Sequence, residues 1–123
     1  MARKKILTVD DSNMILMMEK MILKQGPYDL VTASDGAAAV ETALAERPDL
    51  ILLDIVMPKM DGIEACRQIR SHEATKETPI IMVTTRGESE TENLAYEAGC
   101  TDYVTKPIDG PDLLSKIRKL LSD

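Results

Sequence analysis

Five residues sit where short aliphatic runs end, and their types are those of phosphoryl chemistry. Asp10 and Asp11 follow Ile6-Leu7-Thr8-Val9, Asp54 follows Leu50-Ile51-Leu52-Leu53, Thr84 follows Ile80-Ile81-Met82-Val83, and Lys106 follows Tyr103-Val104-Thr105. Three carboxylates gathered within a few ångströms repel one another, so their grouping demands compensation. One source is a hard divalent cation of the Mg²⁺ type, held by carboxylates, a backbone carbonyl and water. The other is the Lys106 ammonium. A carboxylate between two sources of positive charge is suited to attack a phosphoryl group, whose transfer needs mainly neutralisation of its oxygens. Asp54 is the expected nucleophile, with Thr84 donating a hydrogen bond to a phosphoryl oxygen. Singly, each residue has an ordinary use: Asp11 as a helix cap, Lys106-Pro107 as a strand end, Thr84 as a strand residue. Their joint placement at the ends of four strands carries the reading.

Elements able to position these residues are legible between the prolines and glycines. Strands are expected at Lys5–Asp10, Leu30–Ser34, Leu50–Asp54, Ile80–Thr84 and Tyr103–Lys106. The first, third and fourth are continuous apolar runs, as in strands buried on both faces of a parallel sheet. The second and fifth are more polar and suit the edges. Helices are expected over Asn13–Gln25, Ala37–Glu46, Gly62–Ser71, Glu88–Ala98 and Pro111–Leu121. Ser12 or Asn13 caps the first, Gly99 ends the fourth, and Asp109 or Gly110 caps the fifth. Strict alternation with short loops means α/β architecture with right-handed crossovers. Five strands do not close a barrel, which leaves a five-stranded parallel doubly wound sheet of flavodoxin-like order 2-1-3-4-5 with five helices. The functional crevice of such a sheet lies beyond the carboxyl ends of its strands, with strands 1 and 3 adjacent.

The composition narrows the partners. The 123 residues are 44% hydrophobic and 29% charged, which fits one folded domain over 1–123 and excludes a disordered chain. Twenty-one acidic against 15 basic residues give a net charge of −6, a poor match to DNA or anionic lipid. Three Tyr, no Phe and no Trp argue against base-stacking modules, and eight Met fill part of the missing volume. No apolar run is long enough to span a bilayer, and Met-Ala-Arg-Lys-Lys leads into no signal-peptide apolar region, so a cytoplasmic location is expected. Cys66 and Cys100 form no metal-binding spacing and read as small core residues of a reducing compartment, with a disulfide as the alternative. Glycine-rich dinucleotide, P-loop and Gly-x-Ser-x-Gly signatures are absent, and the lone His72 lies in a polar stretch.

With these residues in view, the chain resembles the receiver domain of bacterial two-component response regulators, of the chemotaxis single-domain type. The resemblance covers the whole chain. It rests on Val9-Asp10-Asp11-Ser12, Asp35-Gly36, Leu53-Asp54-Ile55-Val56-Met57-Pro58, Met60-Asp61-Gly62, Val83-Thr84-Thr85, Ala98-Gly99 and Lys106-Pro107. It implies that Asp54 accepts phosphate from a histidine kinase or histidine phosphotransfer protein. It implies Mg²⁺ ligation by Asp11, Asp54 and the Val56 carbonyl, with Asp10 acting mostly through water. It further implies that Thr84 and Tyr103 move together as a switch, that Lys106 contacts the phosphoryl oxygens, and that the Lys106-Pro107 peptide is cis. The output surface would be helix 4, strand 5 and helix 5, meeting an unknown downstream protein or a second copy in a phosphorylation-linked dimer, with Tyr96 near that face. The chain departs from the family at Thr85, larger than the usual residue, and at Ile108, where Phe is common. Val56 and the cationic Arg86 are expected to set the rate of phosphoryl hydrolysis.

In the first helix, Ile15, Met18 and Ile22 are expected to face the core. Leu16, Met17 and Leu23 are then surplus, either packing on neighbouring helices or docking a helical phosphodonor. The leading function is a signalling switch rather than an enzyme acting on a separate substrate. The alternatives are the N-terminal receiver of a longer regulator, a docking-only pseudo-receiver, and an aspartyl-nucleophile phosphatase. The last normally carries Asp-x-Asp and a cap domain, which these residues do not provide.

Overall fold

Aliphatic runs and amphipathic segments alternate along the chain, and each folds as its pattern dictates. The computed structural model describes residues 3–57, 60–84 and 89–121. Its strands are β1 (Lys4–Val9), β2 (Tyr28–Ala33), β3 (Leu50–Asp54), β4 (Ile80–Thr84) and β5 (Asp102–Thr105). Its helices are α1 (Asn13–Leu23), α2 (Gly36–Glu46), α3 (Gly62–Arg70), α4 (Ser89–Ala98) and α5 (Gly110–Leu121). All strand pairs are parallel, in the order β2-β1-β3-β4-β5. The more polar β2 and β5 occupy the edges, as their sequences require.

The period-2 alternation of a strand divides the aliphatic runs between two apolar layers. Leu7, Ile51, Leu53 and Met82 turn toward α2, α3 and α4, against Ala39, Ala43, Cys66 and Ile69. Ile6, Leu52, Ile81 and Val83 turn to the opposite face, against Leu23 of α1 and Leu113 and Ile117 of α5. Because β3 and β4 are covered on both sides, they are almost wholly apolar, and β1 is buried from Ile6 to Val9. Both cysteines are buried and free, as core residues.

Element ends lie within two residues of those expected. β2 starts at Tyr28 rather than Leu30, because Tyr28 and Asp29 pair with Lys4 and Lys5. α1 stops at Leu23 rather than Gln25. Asp10 and Lys106 fall just beyond their strands, with side chains free of the strand's strict alternation. Helix starts are capped: Ser12 accepts from the Ile15 N–H, Asp35 from Ala38, Asp61 from Glu64 and Asp109 from Asp112. Since Ser12 caps α1, Asp11 is left for other work.

The phase of α1 differs from the expected one. Met18 does not belong to the core stripe; it is exposed, while Leu23 is fully buried. The inward face runs through Ile15, Glu19, Ile22 and Leu23, and the outward face carries Met14, Met17, Met18 and Met21 at i, i+3, i+4 and i+7. A charged residue, Glu19, thus takes an inward position.

Gly62 fixes the approach of α3 to the site. A Cβ there would run into the backbone carbonyl of Asp54, and the Gly62 N–H donates to the Ile55 carbonyl at 2.8 Å. Only a residue without a side chain lets α3 begin this close to the end of β3.

Candidate functional site

The carboxyl ends of β1 and β3 are neighbours, and this adjacency assembles the acidic pocket. Asp10, Asp11 and Asp54 each present a carboxylate oxygen within 4.8 Å of the others. Asp10 and Asp54 are buried, whereas Asp11 is exposed at the mouth. Asp10 is held in place by the Ser12 N–H, which donates to its Oδ1 at 2.9 Å. Lys106 reaches in from the end of β5, placing Nζ 3.2 Å from Asp10 Oδ2 and 3.4 Å from Asp54 Oδ1. Its own N–H donates to the Thr84 carbonyl at 2.7 Å, which ties the ends of β4 and β5 together. The buried Thr84 stands at the end of β4, next to β3.

Burial and the charges of the pocket both act on the Asp54 carboxyl. Burial, reinforced by the negative charge of Asp10, raises the Asp54 carboxyl from its ordinary 3.8 to about 6, although Lys106 pulls it down. For Lys106, burial lowers the proton affinity, yet Asp54 and Asp10 outweigh it and the net shift is upward. The Lys106 ammonium is shared between Asp10 and Asp54, and no contact of it with the exposed Asp11 is seen. All donors offered are hard oxygens, and Asp11 faces solvent, so the set fits a divalent cation of the Mg²⁺ kind.

Of the remaining expected residues, Val56 is exposed two positions past Asp54. The Lys106-Pro107 peptide is cis. Tyr103 is partly exposed on β5, with its ring edge-on to Tyr96 at 6.0 Å and Lys116 Nζ 5.9 Å from its centroid. A hydrogen bond to Glu92 leads the causes that raise the Tyr103 hydroxyl above its ordinary value. Pro58, Thr85 and Arg86 lie outside the described residues.

Glu19 is a buried carboxyl that the sequence pattern did not single out. It points inward from α1, is only 1% exposed, and neither carboxylate oxygen has a hydrogen-bond partner. Burial, with Asp10 adding to it and Lys106 opposing, lifts its carboxyl from 4.5 to about 8. The available signal was its spacing, four residues after Ile15 and four before Leu23.

This sheet order and this set of strand-end residues define a CheY-like receiver. The family model for the response regulator receiver domain matches residues 6–118, and the chain belongs to that family, the receivers of two-component systems. It is 41% identical over 118 residues to alkaline phosphatase synthesis transcriptional regulatory protein PhoP of Bacillus subtilis, covering 96% of this chain and 48% of PhoP. It is 42% identical over 117 residues to transcriptional regulatory protein ResD of the same organism, covering 95% of this chain and 48% of ResD. The chain thus spans about half the length of these curated relatives. Chemotaxis protein CheY4 of Vibrio cholerae superposes with a TM-score of 0.92 at 35% identity, over 98% of this chain and all of CheY4 (100%). The receiver domain of sensor histidine kinase PA1611 from Pseudomonas aeruginosa PAO1 gives 0.92 at 30% identity, over 99% of this chain and 100% of that one. Its structure has a magnesium ion coordinated in the active-site cleft. No helix among the described residues is long and apolar enough to cross a membrane.

The raised carboxyl of Glu19 sets a pH dependence of stability. A carboxyl whose folded pKa exceeds its unfolded value binds its proton more tightly in the folded state. Stability is therefore greatest below about 4.5 for this group and is lost as pH rises toward about 8. At pH 7 the cost is about 3 kcal/mol from the distance to the unfolded value. Glu19→Gln is expected to be more stable than the parent by that order at pH 7 and equal to it near pH 4, measured by urea unfolding at both. A Glu19→Gln chain no more stable at pH 7 contradicts the assignment.

Proposed function

We propose that the domain is a phosphorylation switch whose acceptor is Asp54, working with Mg²⁺. The observation that carries the reading is a buried carboxylate whose Oδ1 lies 3.4 Å from the Lys106 ammonium, with Asp10 and Asp11 beside it. An Asp54 oxygen attacks the phosphorus of a phosphohistidine. The P–N bond breaks, and its electron pair stays on the imidazole nitrogen of a histidine kinase or histidine phosphotransfer protein. Asp10, Asp11, Asp54 and the Val56 carbonyl would hold Mg²⁺, which supplies neutralising charge to the phosphoryl oxygens when bound. Lys106 supplies the matching charge from the other side, and Thr84 donates its hydroxyl to a phosphoryl oxygen. The new negative group then biases Thr84 and Tyr103, and through them the surface of α4, β5 and α5. The same residues would govern loss of the phosphoryl group to water, so the protein acts on itself rather than on a separate substrate.

The outward methionines of α1 support a docking role in the same reaction. Met14, Met17 and Met21 are 76%, 64% and 66% exposed on the helix that starts beside Asp11. Flexible thioethers suit contact with a helical donor. A second reading, the receiver half of a longer regulator, is favoured by the 48% coverage of PhoP and ResD. In that case any contact with DNA belongs to the other half, since this acidic domain is poorly suited to it.

Intact-mass measurement after incubation with a small phosphodonor and Mg²⁺ tests the acceptor. The parent chain should gain one phosphoryl group, and Asp54→Asn should gain none. A gain surviving in Asp54→Asn contradicts Asp54 as acceptor, and no gain in the parent favours the docking-only reading. For the methionine face, Met17→Lys and Met21→Lys together should slow transfer from a phosphorylated kinase dimerisation domain about tenfold or more. Labelling by the small donor should be unchanged. Equal loss in both assays would count against docking.

A further inference from the structure

A ring on an edge strand meets both layers of helices, and what each layer offers decides where the ring rests. Tyr103 lies on β5, at the edge of the sheet, partly buried against the apolar layer that includes Ala95 and Ala98 of α4. Two side chains, one from each layer, hold its ring. From α4, Tyr96 meets it edge-on, with centroids 6.0 Å apart and planes at 81°, an arrangement in which aromatic rings attract. From α5, on the opposite face of the sheet, Lys116 stands over the ring with Nζ 5.9 Å from the centroid, within reach of a cation–π attraction. The ammonium is itself fixed, because it donates to the Tyr103 carbonyl at 3.0 Å and pairs with Asp112 at 3.4 Å. Glu92 of α4 adds a hydrogen bond to the Tyr103 hydroxyl. Two of the three aromatic rings in the sequence therefore meet in one contact, and Tyr96, 46% exposed, is not there to fill the core.

We propose that Tyr96 and Lys116 are positioning residues of the Tyr103 switch, which together hold its ring at the surface and so set how strongly the unphosphorylated domain favours its resting state. This rests on the reading of the domain as a phosphorylation switch that biases Tyr103. Both contacts are made to the ring, so both are lost when the ring leaves this position. The bond of Lys116 to the Tyr103 carbonyl and its pair with Asp112 involve no ring atom and keep the ammonium in place. A contact present in only one of two states shifts their equilibrium by its own strength. For an exposed cation–π or edge-on aromatic contact that strength corresponds to a factor of about two to five. Neither side chain is hydrogen-bonded or ion-paired to Asp10, Asp11, Asp54 or Lys106, so each acts on the pocket through Tyr103.

The test is the affinity of the 123-residue chain for beryllofluoride, a mimic of the phosphoryl group, in excess MgCl₂, read by fluorine NMR of the bound fluoride. Lys116→Met and Tyr96→Leu should each tighten binding about two- to fivefold, because a resting state held less firmly opposes the mimic less. Lys116→Arg keeps the cation and should bind as the parent does. The same Lys116→Met and Tyr96→Leu changes made in Tyr103→Ala should leave the affinity where Tyr103→Ala puts it, since the ring they hold is gone. A merely structural role, or a direct effect of the lost Lys116 charge on an anion, would persist in Tyr103→Ala. Binding to the parent with no tightening in either variant, or the same tightening with and without the Tyr103 ring, overturns this inference alone. A parent chain that binds no beryllofluoride overturns the phosphorylation reading and this inference with it.

Discussion

The repulsion among Asp10, Asp11 and Asp54 is the constraint on which the rest of the structure depends. Parallel pairing of β1 with β3 brings their ends together, and the three carboxylates there offer oxygens within 4.8 Å of one another. The sheet tolerates the cluster because Lys106 reaches it from β5, and Lys106 is held in position by its N–H to the Thr84 carbonyl. One ammonium faces two buried carboxylates, and burial, with the charge of Asp10 added, holds the Asp54 carboxyl above its ordinary value although Lys106 lowers it. On the proposed function, a divalent cation and a phosphoryl group would give this pocket a new balance of charge. Chemistry and switching would then have a single origin, since a change in the pairing of Lys106 would act on the β4–β5 end to which its N–H is bonded.

The same constraint explains details of local structure. Ser12 caps α1 and its N–H fixes Asp10, so the pair Asp10-Asp11 divides into a buried member and an exposed one. Gly62 lets α3 start against the Asp54 backbone. Tyr103, edge-on to Tyr96 and close to Lys116, lies one strand away from the pocket on the face that would report its state.

Much of this was legible in the residues. The fold followed from the alternation of apolar runs with amphipathic segments, and the edge strands from the polarity of β2 and β5. The site followed from which residue ends each strand, because a doubly wound sheet puts those ends in one crevice. What was not legible is the phase of α1. Hydropathy alone places a glutamate outside and a methionine inside, and at Glu19 and Met18 the chain does the reverse. The inversion cannot be read from a helix in isolation: burial pushes the carboxyl toward its neutral form, Asp10 and Asp54 add to that and Lys106 opposes it, and these groups come from other strand ends. Long-range electrostatics, unlike periodicity, leaves no local pattern.

The central claim is that the pocket holds more negative charge than Lys106 can offset. It is tested most directly by titrating the Asp54 carboxyl carbon by NMR, without divalent cation, in the parent chain and in Lys106→Met. The account predicts a midpoint at about 6 in the parent and a higher one in Lys106→Met, since Lys106 is the group that lowers it. A midpoint near the ordinary 3.8 in both chains would contradict the account.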